Sequence, residues 1–568
     1  MTIESRRGSR LLDVVRRFAS DARGNIAMIS AFVFPVLLLI TFGGIDIHRA
    51  STVRANLQDA LDAATLAAAR SQFTEDAAIT EVGIASLQAN LAPYKNIALQ
   101  TSTTTFRLNP ETGAVVGDAR VNVTALVANI ILPMVGQGTG DQIPVGAHSE
   151  VLRSNIRIEV ALVIDNTGSM GQDNKLANTK TAAINLLDRL EAADSRSVDE
   201  DAIRVSLVPF SMTVRVAQGG SSIPDYMSNA DTHTGGGAYS STNTTSLFAK
   251  ARGRFTLFED LGTTWGGCVE SRPQPFDIQD TAPTTADQAT MFVPYFSPDE
   301  PDSDDYPDDS TWTTWLNRTH SDTNDYVEDG SRTKGKNPFG TGSNATTQRN
   351  NQFWTRLRNT DKYRTDRKGA MSTSFGPNKG CSLQPIIRLT DDYPALRRAV
   401  GDMVAGGNTN VPLGAMWGWL TLSPNAPFGD GRPYNEDRLQ KIIIIMTDGE
   451  NVMSDSNSPN DSFYNGLGYI WQNRLGRISG TNAERRTAMD NRFDSSAANT
   501  PDMCGNMKAV DKNIEVYTIA VQVDSAAQTV LSRCATDSEH YYPVSSSGGI
   551  ADAFDRIAGR IENLRISR

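Results

Sequence analysis

The longest apolar run of the chain lies close to its amino terminus. Residues Asn25–Ile45 carry no formal charge and are nearly all apolar. Twenty helical residues rise about 30 Å, which is roughly the thickness of the hydrocarbon core of a bilayer. The run therefore predicts a transmembrane helix at residues 25–47. Pro35 lies inside it, and a membrane helix tolerates proline better than a soluble helix does.

Basic residues precede this run. Six arginines lie ahead of residue 24, and a positively charged flank usually stays in the cytoplasm. We therefore expect residues 1–24 to form a cytoplasmic basic segment and the bulk of the chain to lie across the membrane. A cleaved signal peptide is the alternative. An uncleaved anchor is favoured, because the run is longer than the apolar part of a typical signal and no small-x-small cleavage site follows it promptly.

Helix-forming residues continue beyond the apolar run. The segment His48–Ser71 is rich in alanine, so one long helix should extend past residue 47. A stripe of small and apolar side chains follows this helix, and it either packs on its own domain or docks a partner; its members are Leu57, Ala60, Leu61, Ala64, Leu66 and Ala68. Alternating Thr, Val and Ala over residues 97–151 predict strands. Residues 48–152 should therefore form a helix plus a small β region with a pilin-like α+β layout.

Residues Arg23 to about Arg70 carry a family resemblance. The sequence RGNIAMISAFVFPVLLLITFGGIDIHR, followed by LQDALDAATLAAAR, combines an Arg-Gly start, a mid-span proline, an Asp after the span and an alanine-rich segment. This pattern resembles the TadG-like proteins of Flp/Tad pilus assembly. The resemblance implies a single-pass protein of the bacterial inner membrane, with its carboxyl-terminal bulk periplasmic or surface-exposed. It also implies pilus or other cell-envelope proteins as partners.

A second architecture begins after residue 152. Residues 155–165 read NIRIEVALVID, an apolar run ending in an acid that is typical of a buried parallel strand. A polar loop and a helical pattern at 175–190 follow, which makes a βα unit. The sequence KIIIIMTDGE at 441–450 predicts a second buried strand. Further strands are predicted at 202–209, 514–523 and 541–544, with helices around 501–512 and at 549–565. This alternation predicts an α/β fold with a doubly wound, mostly parallel sheet.

Oxygen-bearing side chains follow these segments. Asp165, Thr167 and Ser169 lie on one tight loop. Thr409 lies in a glycine-rich loop before a helical segment, and Asp448 ends the isoleucine strand. Ligands of open α/β sheets bind at the carboxyl ends of the strands. Carboxylates and hydroxyls are hard ligands, which suit Mg²⁺, with Mn²⁺ and Ca²⁺ as alternatives, better than zinc.

Together these segments resemble the von Willebrand factor A (VWFA) domain and its metal-ion-dependent adhesion site (MIDAS). The resemblance maps the ligand positions of that site onto the five residues just named, with Thr167 where serine is usual. It implies a Rossmann-like α/β domain over residues 153–568, with a large insertion at about 210–385. It further implies binding rather than hydrolysis, in which a partner carboxylate completes the shell of a bound divalent cation.

The insertion is too long to be an ordinary loop, so part of it should be folded. It contains an acidic tract, whose members are Asp299, Glu300, Asp302, Asp304, Asp305, Asp308 and Asp309. A solvated acidic loop is favoured over a calcium site here, because no EF-hand spacing is present.

The chain has four cysteines, which allow three pairings. An even number beyond a membrane anchor suits disulfides in an oxidising compartment. We favour Cys268–Cys381, which would tie the insertion, and Cys504–Cys534, which would bracket the strand at 514–523. Four buried thiols are the alternative, and the spacings match no zinc motif.

The composition narrows the function further. Asp and Glu number 65 against 54 Lys and Arg, for a net charge of -11, which argues against nucleic-acid binding. Neither an acid–base pair nor an activated nucleophile is recognisable, so neither an enzyme nor a small-molecule substrate is predicted. The favoured hypothesis is a membrane-anchored, metal-dependent protein-binding factor in Flp/Tad-type pilus assembly or adhesion. The alternative is a surface adhesin that binds host or matrix proteins independently of a pilus, with the tryptophan-bearing insertion as its recognition surface.

Overall fold

The computed structural model describes most of the chain between residues 25 and 566. The residues outside the described part are 1–24, 72, 74, 95–96, 110–111, 126–141, 153–155, 196, 198, 200, 229–246, 249–251, 302–323, 328–355, 370, 457–459, 476–480, 498 and 567–568. The predicted cytoplasmic segment and the acidic residues from Asp302 to Asp309 lie outside it. The chain divides into two compact units, Met1–Ser154 and Asn155–Arg568.

The first unit packs two helices against an antiparallel sheet. Helix α1 spans Asn25–Ala69 and helix α2 spans Asp76–Leu91. The strands are β1 (Ala98–Leu99), β2 (Thr105–Leu108), β3 (Ala114–Thr124) and β4 (Gln142–Leu152). Strand β3 pairs with β4 along one edge and with β1 and β2 along the other. Helix α1 continues past residue 47 as expected, whereas α2 is an element that the sequence patterns above do not predict.

The stripe of small and apolar residues on α1 is buried inside its own unit. Leu57 and Leu61 are inaccessible to solvent and belong to one apolar cluster with Phe106 of β2 and Val121 of β3. Of the stripe, only Leu66 is exposed. The first of the two alternatives, packing on its own domain, therefore describes this face of the helix.

The amino-terminal half of α1 exposes large apolar side chains, among them Phe32, Phe34 and Ile40. Within the described residues, no helix combines the length and the apolarity that crossing a membrane requires. The predicted transmembrane helix at 25–47 is therefore not supported.

The second unit is built on a mixed sheet with a parallel centre. Its strands are β5 (Arg157–Asp165), β6 (Ile203–Phe210), β7 (Val214–Arg215), β8 (Cys268–Glu270), β9 (Val293–Pro294), β10 (Ile387–Thr390), β11 (Leu439–Thr447), β12 (Ile514–Val521) and β13 (Tyr541–Val544). Five of them run parallel in the order β13, β12, β11, β5 and β6. Strands β7, β8 and β9 continue the sheet in antiparallel fashion beyond β6, and β10 also pairs antiparallel with β6. The predicted α/β fold with a parallel sheet is confirmed.

Helices cover both faces of this sheet. They are α3 (Lys175–Asp194), α4 (Arg254–Asp260), α5 (Tyr393–Gly401), α6 (Val411–Leu422), α7 (Asn482–Phe493), α8 (Met503–Met507), α9 (Ser525–Cys534) and α10 (Ile550–Ile566). Ile442 and Ile444 of β11 face a core formed with α3, α5 and α10, whereas Ile443 and Ile445 face a core that contains α6. A strand that is covered on both faces needs an unbroken apolar run, which explains the four consecutive isoleucines.

The described parts of the insertion join the core of the second unit. Trp265, Phe292 and Tyr295 are buried in the same apolar cluster as Val163 of β5. Part of the insertion is therefore folded, as its length predicts, and Trp265 lies in the core instead of forming a recognition surface.

The start of the acidic tract is also buried, so the prediction of a solvated acidic loop is wrong for Asp299 and Glu300. The ammonium of Lys362 lies 2.8 Å from the Asp299 carboxylate. The hydroxyl of Tyr469 donates a hydrogen bond of 2.8 Å to Glu300, and burial raises the pKa of this carboxyl group above its usual value. Specific partners distant in sequence thus replace the water that the tract was expected to contact.

Both favoured disulfides are present. Cys268 of β8 is bonded to Cys381, with Cα atoms 5.8 Å apart, and Cys504 of α8 is bonded to Cys534 of α9, with Cα atoms 5.2 Å apart. The first disulfide joins β8, inside the insertion, to Cys381 near the carboxyl-terminal end of the insertion. The second links the helices that precede and follow β12.

Helix α6 packs very close to the sheet through glycines. A methyl group on Gly418 would lie 2.3 Å from Val163 Cγ2 and 2.9 Å from Ile443 Cδ1. A methyl group on Gly414 would lie 2.4 Å from the ring of Phe210. Because α6 begins two residues after Thr409, this close packing also fixes the position of the glycine-rich loop.

We expect Gly418→Ala to lower the free energy of unfolding by about 1–3 kcal/mol, because the added methyl group overpacks the core. Urea unfolding followed by circular dichroism measures this change. The matched control is Gly401→Ala at the end of α5, where an added methyl group would meet no atom within 4 Å. The control should leave stability unchanged or slightly raised. Equal stabilities of Gly418→Ala and the wild type would contradict the expectation.

Candidate metal centre

Three loops meet at the carboxyl ends of the parallel strands. The first follows β5, the second lies between α5 and α6, and the third follows β11. The backbone N–H of Gly168 donates to the carbonyl of Gly407 at 3.0 Å, and the N–H of Gly406 donates to the carbonyl of Asn166 at 2.9 Å. Gly407 has a φ of +82°, a conformation that favours glycine. These contacts hold the first and second loops together.

Two carboxylates lie side by side at this edge. Asp165 is the last residue of β5, and Asp448 directly follows β11. The two strands are parallel neighbours, with Ile164 opposite Met446. The parallel register therefore places both carboxylates at the same edge, and both are buried.

Three hydroxyl groups surround the carboxylates. The hydroxyls of Thr167 and Ser169 are 3.0 Å apart, and Ser169 donates a hydrogen bond of 2.6 Å to Asp448 Oδ1. A methyl group placed on Gly449 would lie 3.2 Å from Thr409 Oγ1 and 3.7 Å from Ser169 Oγ. The structure thus brings all five residues of the predicted ligand set into one cluster.

Two further residues contact this cluster, and the sequence patterns did not single them out. Thr447 donates a hydrogen bond of 2.6 Å from its hydroxyl to Asp165 Oδ2. Lys175, the first residue of α3, places its ammonium 2.8 Å from Asp448 Oδ2. Because Thr447 directly precedes Asp448, its position in the sequence could have identified it as a member of the site. A lysine that opens a helix carries no comparable signal, since its long side chain usually reaches solvent.

The acidity of Asp165 is strongly perturbed. Burial, and next the negative charge of Asp448, raise the pKa of the Asp165 carboxyl group from 3.8 to about 6. Hydrogen bonds from Thr447 and Thr167 act in the opposite direction and do not outweigh burial. A cation beside the two carboxylates would relieve this repulsion.

The donor set fits a hard divalent cation. Its carboxylates and hydroxyls offer only oxygen, and Mg²⁺ prefers oxygen ligands. The ammonium of Lys175 compensates one of the two negative charges of Asp165 and Asp448. In the part of the chain that the structure describes, no three or more His, Cys, Asp or Glu side chains group to hold a metal. A cation at this cluster would therefore depend on the hydroxyls as well as on the two carboxylates.

Comparison with known proteins gives one family match, at the amino terminus. The model of the Tad family, putative Flp pilus-assembly TadE/G-like proteins, matches residues 24–71. This range covers all of helix α1, which spans Asn25–Ala69, and none of the second unit. No curated protein matches the chain.

Several solved structures resemble the chain weakly. The pilus adhesin SpaC from Lactobacillus rhamnosus GG is 11% identical, with a TM-score of 0.29, over 82% of this chain and 34% of that one. The vWF domain of the type V pili tip protein Mfa5 from Porphyromonas gingivalis is 11% identical, with a TM-score of 0.29, over 73% and 97%. The pilus adhesin RrgA from Streptococcus pneumoniae is 9% identical, with a TM-score of 0.30, over 80% and 49%. The chain thus spans about a third of SpaC and half of RrgA, and TM-scores this low support no conclusion about function.

The raised pKa of Asp165 predicts how stability depends on pH. The folded protein holds this proton up to about pH 6, whereas the unfolded chain releases it near pH 4. The contribution of Asp165 to the free energy of unfolding of the metal-free protein should therefore fall by on the order of 3 kcal/mol as pH rises through this window. Urea unfolding in chelator, compared between the wild type and Asp165→Asn, measures the difference. Identical pH profiles for the two proteins would contradict it.

Proposed function

We propose that this chain is a pilus-associated protein-binding factor, whose second unit holds a divalent cation and uses it to engage a carboxylate of a protein partner. The proposal assigns a VWFA-type domain with a MIDAS-type centre to the second unit. It names Asp165, Thr167, Ser169, Thr409 and Asp448 as the residues that hold the cation, and Mg²⁺ as the ion. It includes no catalytic step.

The convergence of two buried carboxylates and three hydroxyls at one sheet edge carries this proposal. These residues come from three loops, and Thr167 and Thr409 are both buried with the carboxylates. Burying two carboxylates next to each other is unfavourable without compensation. A bound cation would supply part of this compensation.

The chemistry of the ion explains how such a site binds without catalysing. Mg²⁺ takes six oxygen ligands and usually keeps several water molecules. The five side chains would supply part of this shell, and a carboxylate from a partner would replace water. Catalysis would also need a nucleophile or an acid–base pair beside the ion, and the proposal assigns no such role to any residue of the cluster.

The family match supports the pilus association. Residues 24–71 match the TadE/G-like model, and the disulfides Cys268–Cys381 and Cys504–Cys534 suit an oxidising compartment such as the cell envelope. We therefore place the second unit in the cell envelope, outside the cytoplasm. The proposed partners are pilus subunits or other envelope proteins.

Metal binding tests the centre directly. In thermal unfolding of the full chain, saturating Mg²⁺ or Mn²⁺ should raise stability relative to chelator, by about 2.7 kcal/mol at 100 times the dissociation constant. Asp448→Asn should lose this shift. Asp188→Asn, an exposed position on α3, is the matched control and should keep it. A wild-type protein that shows no shift at millimolar metal would overturn the metal centre.

Partner capture tests the biological role. The tagged full chain, purified from cells that make the pilus, should retain pilus components in Mg²⁺ and lose them in chelator, as mass spectrometry would show. Asp165→Ala should lose them in both conditions. Equal capture by the wild type and Asp165→Ala would remove the metal from the mechanism. Capture without any pilus component would contradict the pilus association.

A further inference from the structure

A lysine is buried against the candidate metal centre. The side chain of Lys175 is 9% exposed, that of Asp448 is 0% exposed, and the ammonium lies 2.8 Å from Asp448 Oδ2. The other oxygen of this carboxylate accepts the hydroxyl of Ser169 at 2.6 Å. The lysine therefore contacts the same carboxylate that the proposed function assigns to the cation.

Three local features disfavour this placement of Lys175. A buried ammonium loses its hydration. The positive end of the dipole of α3 disfavours a cation at the first helical residue, and the first turn contains no acidic residue to offset it. The two preceding residues, Asp173 and Asn174, have φ values of +49° and +56°, which are uncommon for residues other than glycine. The ion pair with Asp448 is the contact that compensates these features.

The net charge of the cluster, with and without a bound cation, indicates the role of Lys175. Asp165, Asp448 and Lys175 together carry one net negative charge when both carboxylates are ionised. A divalent cation changes this to one net positive charge. Without the lysine, the same cation would leave the cluster neutral.

We propose that Lys175 is a fixed internal counter-ion of the metal centre, which weakens cation binding and leaves the occupied centre positively charged, so that it selects an anionic partner ligand. This inference rests on the proposed function. When no metal is bound, the ammonium of Lys175 takes the role of the cation and neutralises the charge of Asp448. When metal is present, the ammonium repels it, and a partner carboxylate restores neutrality. The centre therefore discriminates a carboxylate from a neutral amide or hydroxyl group of the same size.

The test compares neutral and charged replacements in the full chain. Lys175→Met keeps the aliphatic stem and removes the charge, Lys175→Gln is a second neutral variant in case the first does not fold, and Lys175→Arg keeps the charge. Lys180→Met, five residues further along α3 with its ammonium bonded to the carbonyl of Gly401, is the matched control. Titration with Mn²⁺, followed by electron paramagnetic resonance, gives the affinity of each protein.

The neutral variants should bind Mn²⁺ at least tenfold more tightly than the wild type, whereas Lys175→Arg and Lys180→Met should stay within about threefold of it. Replacing chloride by acetate, as a probe of an anionic ligand, should tighten Mn²⁺ binding to the wild type and have a smaller effect on the neutral variants. Unchanged or weaker Mn²⁺ binding by both neutral variants would overturn the role of Lys175, and so would equal effects of acetate. If the wild type itself binds no Mn²⁺, the proposed function fails, and this inference fails with it.

Discussion

The burial of two like-charged carboxylates at neighbouring strand ends is the constraint around which the second unit is organised. Asp165 and Asp448 are excluded from water, and they repel each other. Three kinds of contact offset this repulsion: hydroxyl groups, the backbone N–H of Thr167 and the ammonium of Lys175. Because these partners come from three separate segments, namely the loop after β5, the end of β11 and the start of α3, the sheet edge holds its geometry only when all three are in place.

The sheet makes this arrangement rigid by burying its central strands on both faces. Alternate isoleucines of β11 pack in two different cores. A shift of its register by one residue would therefore move each of these side chains from one core to the other. The same register sets Asp448 beside Asp165. Helix α6, held against the sheet at Gly414 and Gly418, fixes the loop that carries Thr409. The packing of the core therefore also determines the geometry of the site.

Several features followed from local patterns alone. The apolar run that ends in Asp165 and the isoleucine run that ends before Asp448 predict buried parallel strands, because only a strand covered on both faces is apolar without alternation. The carboxyl ends of parallel strands share one edge, and the resemblance to the VWFA domain predicted that these two residues belong to one site there. The α/β fold is confirmed, and so are the two disulfides. The metal itself stays a prediction.

Other features depend on contacts between segments that are distant in sequence. The insertion supplies the antiparallel strands β7, β8 and β9, and it buries Trp265 together with Asp299 and Glu300, two residues that were predicted to lie in a solvated loop. Lys175 reads as an ordinary surface lysine until the fold places Asp448, 273 positions away, against it. The sequence by itself determined which strands are buried and which oxygens lie at their ends, since both follow from local hydrophobicity and strand direction. The tertiary structure alone decided which charges neutralise one another, because the energy of an ion pair depends on distance and burial rather than on order along the chain.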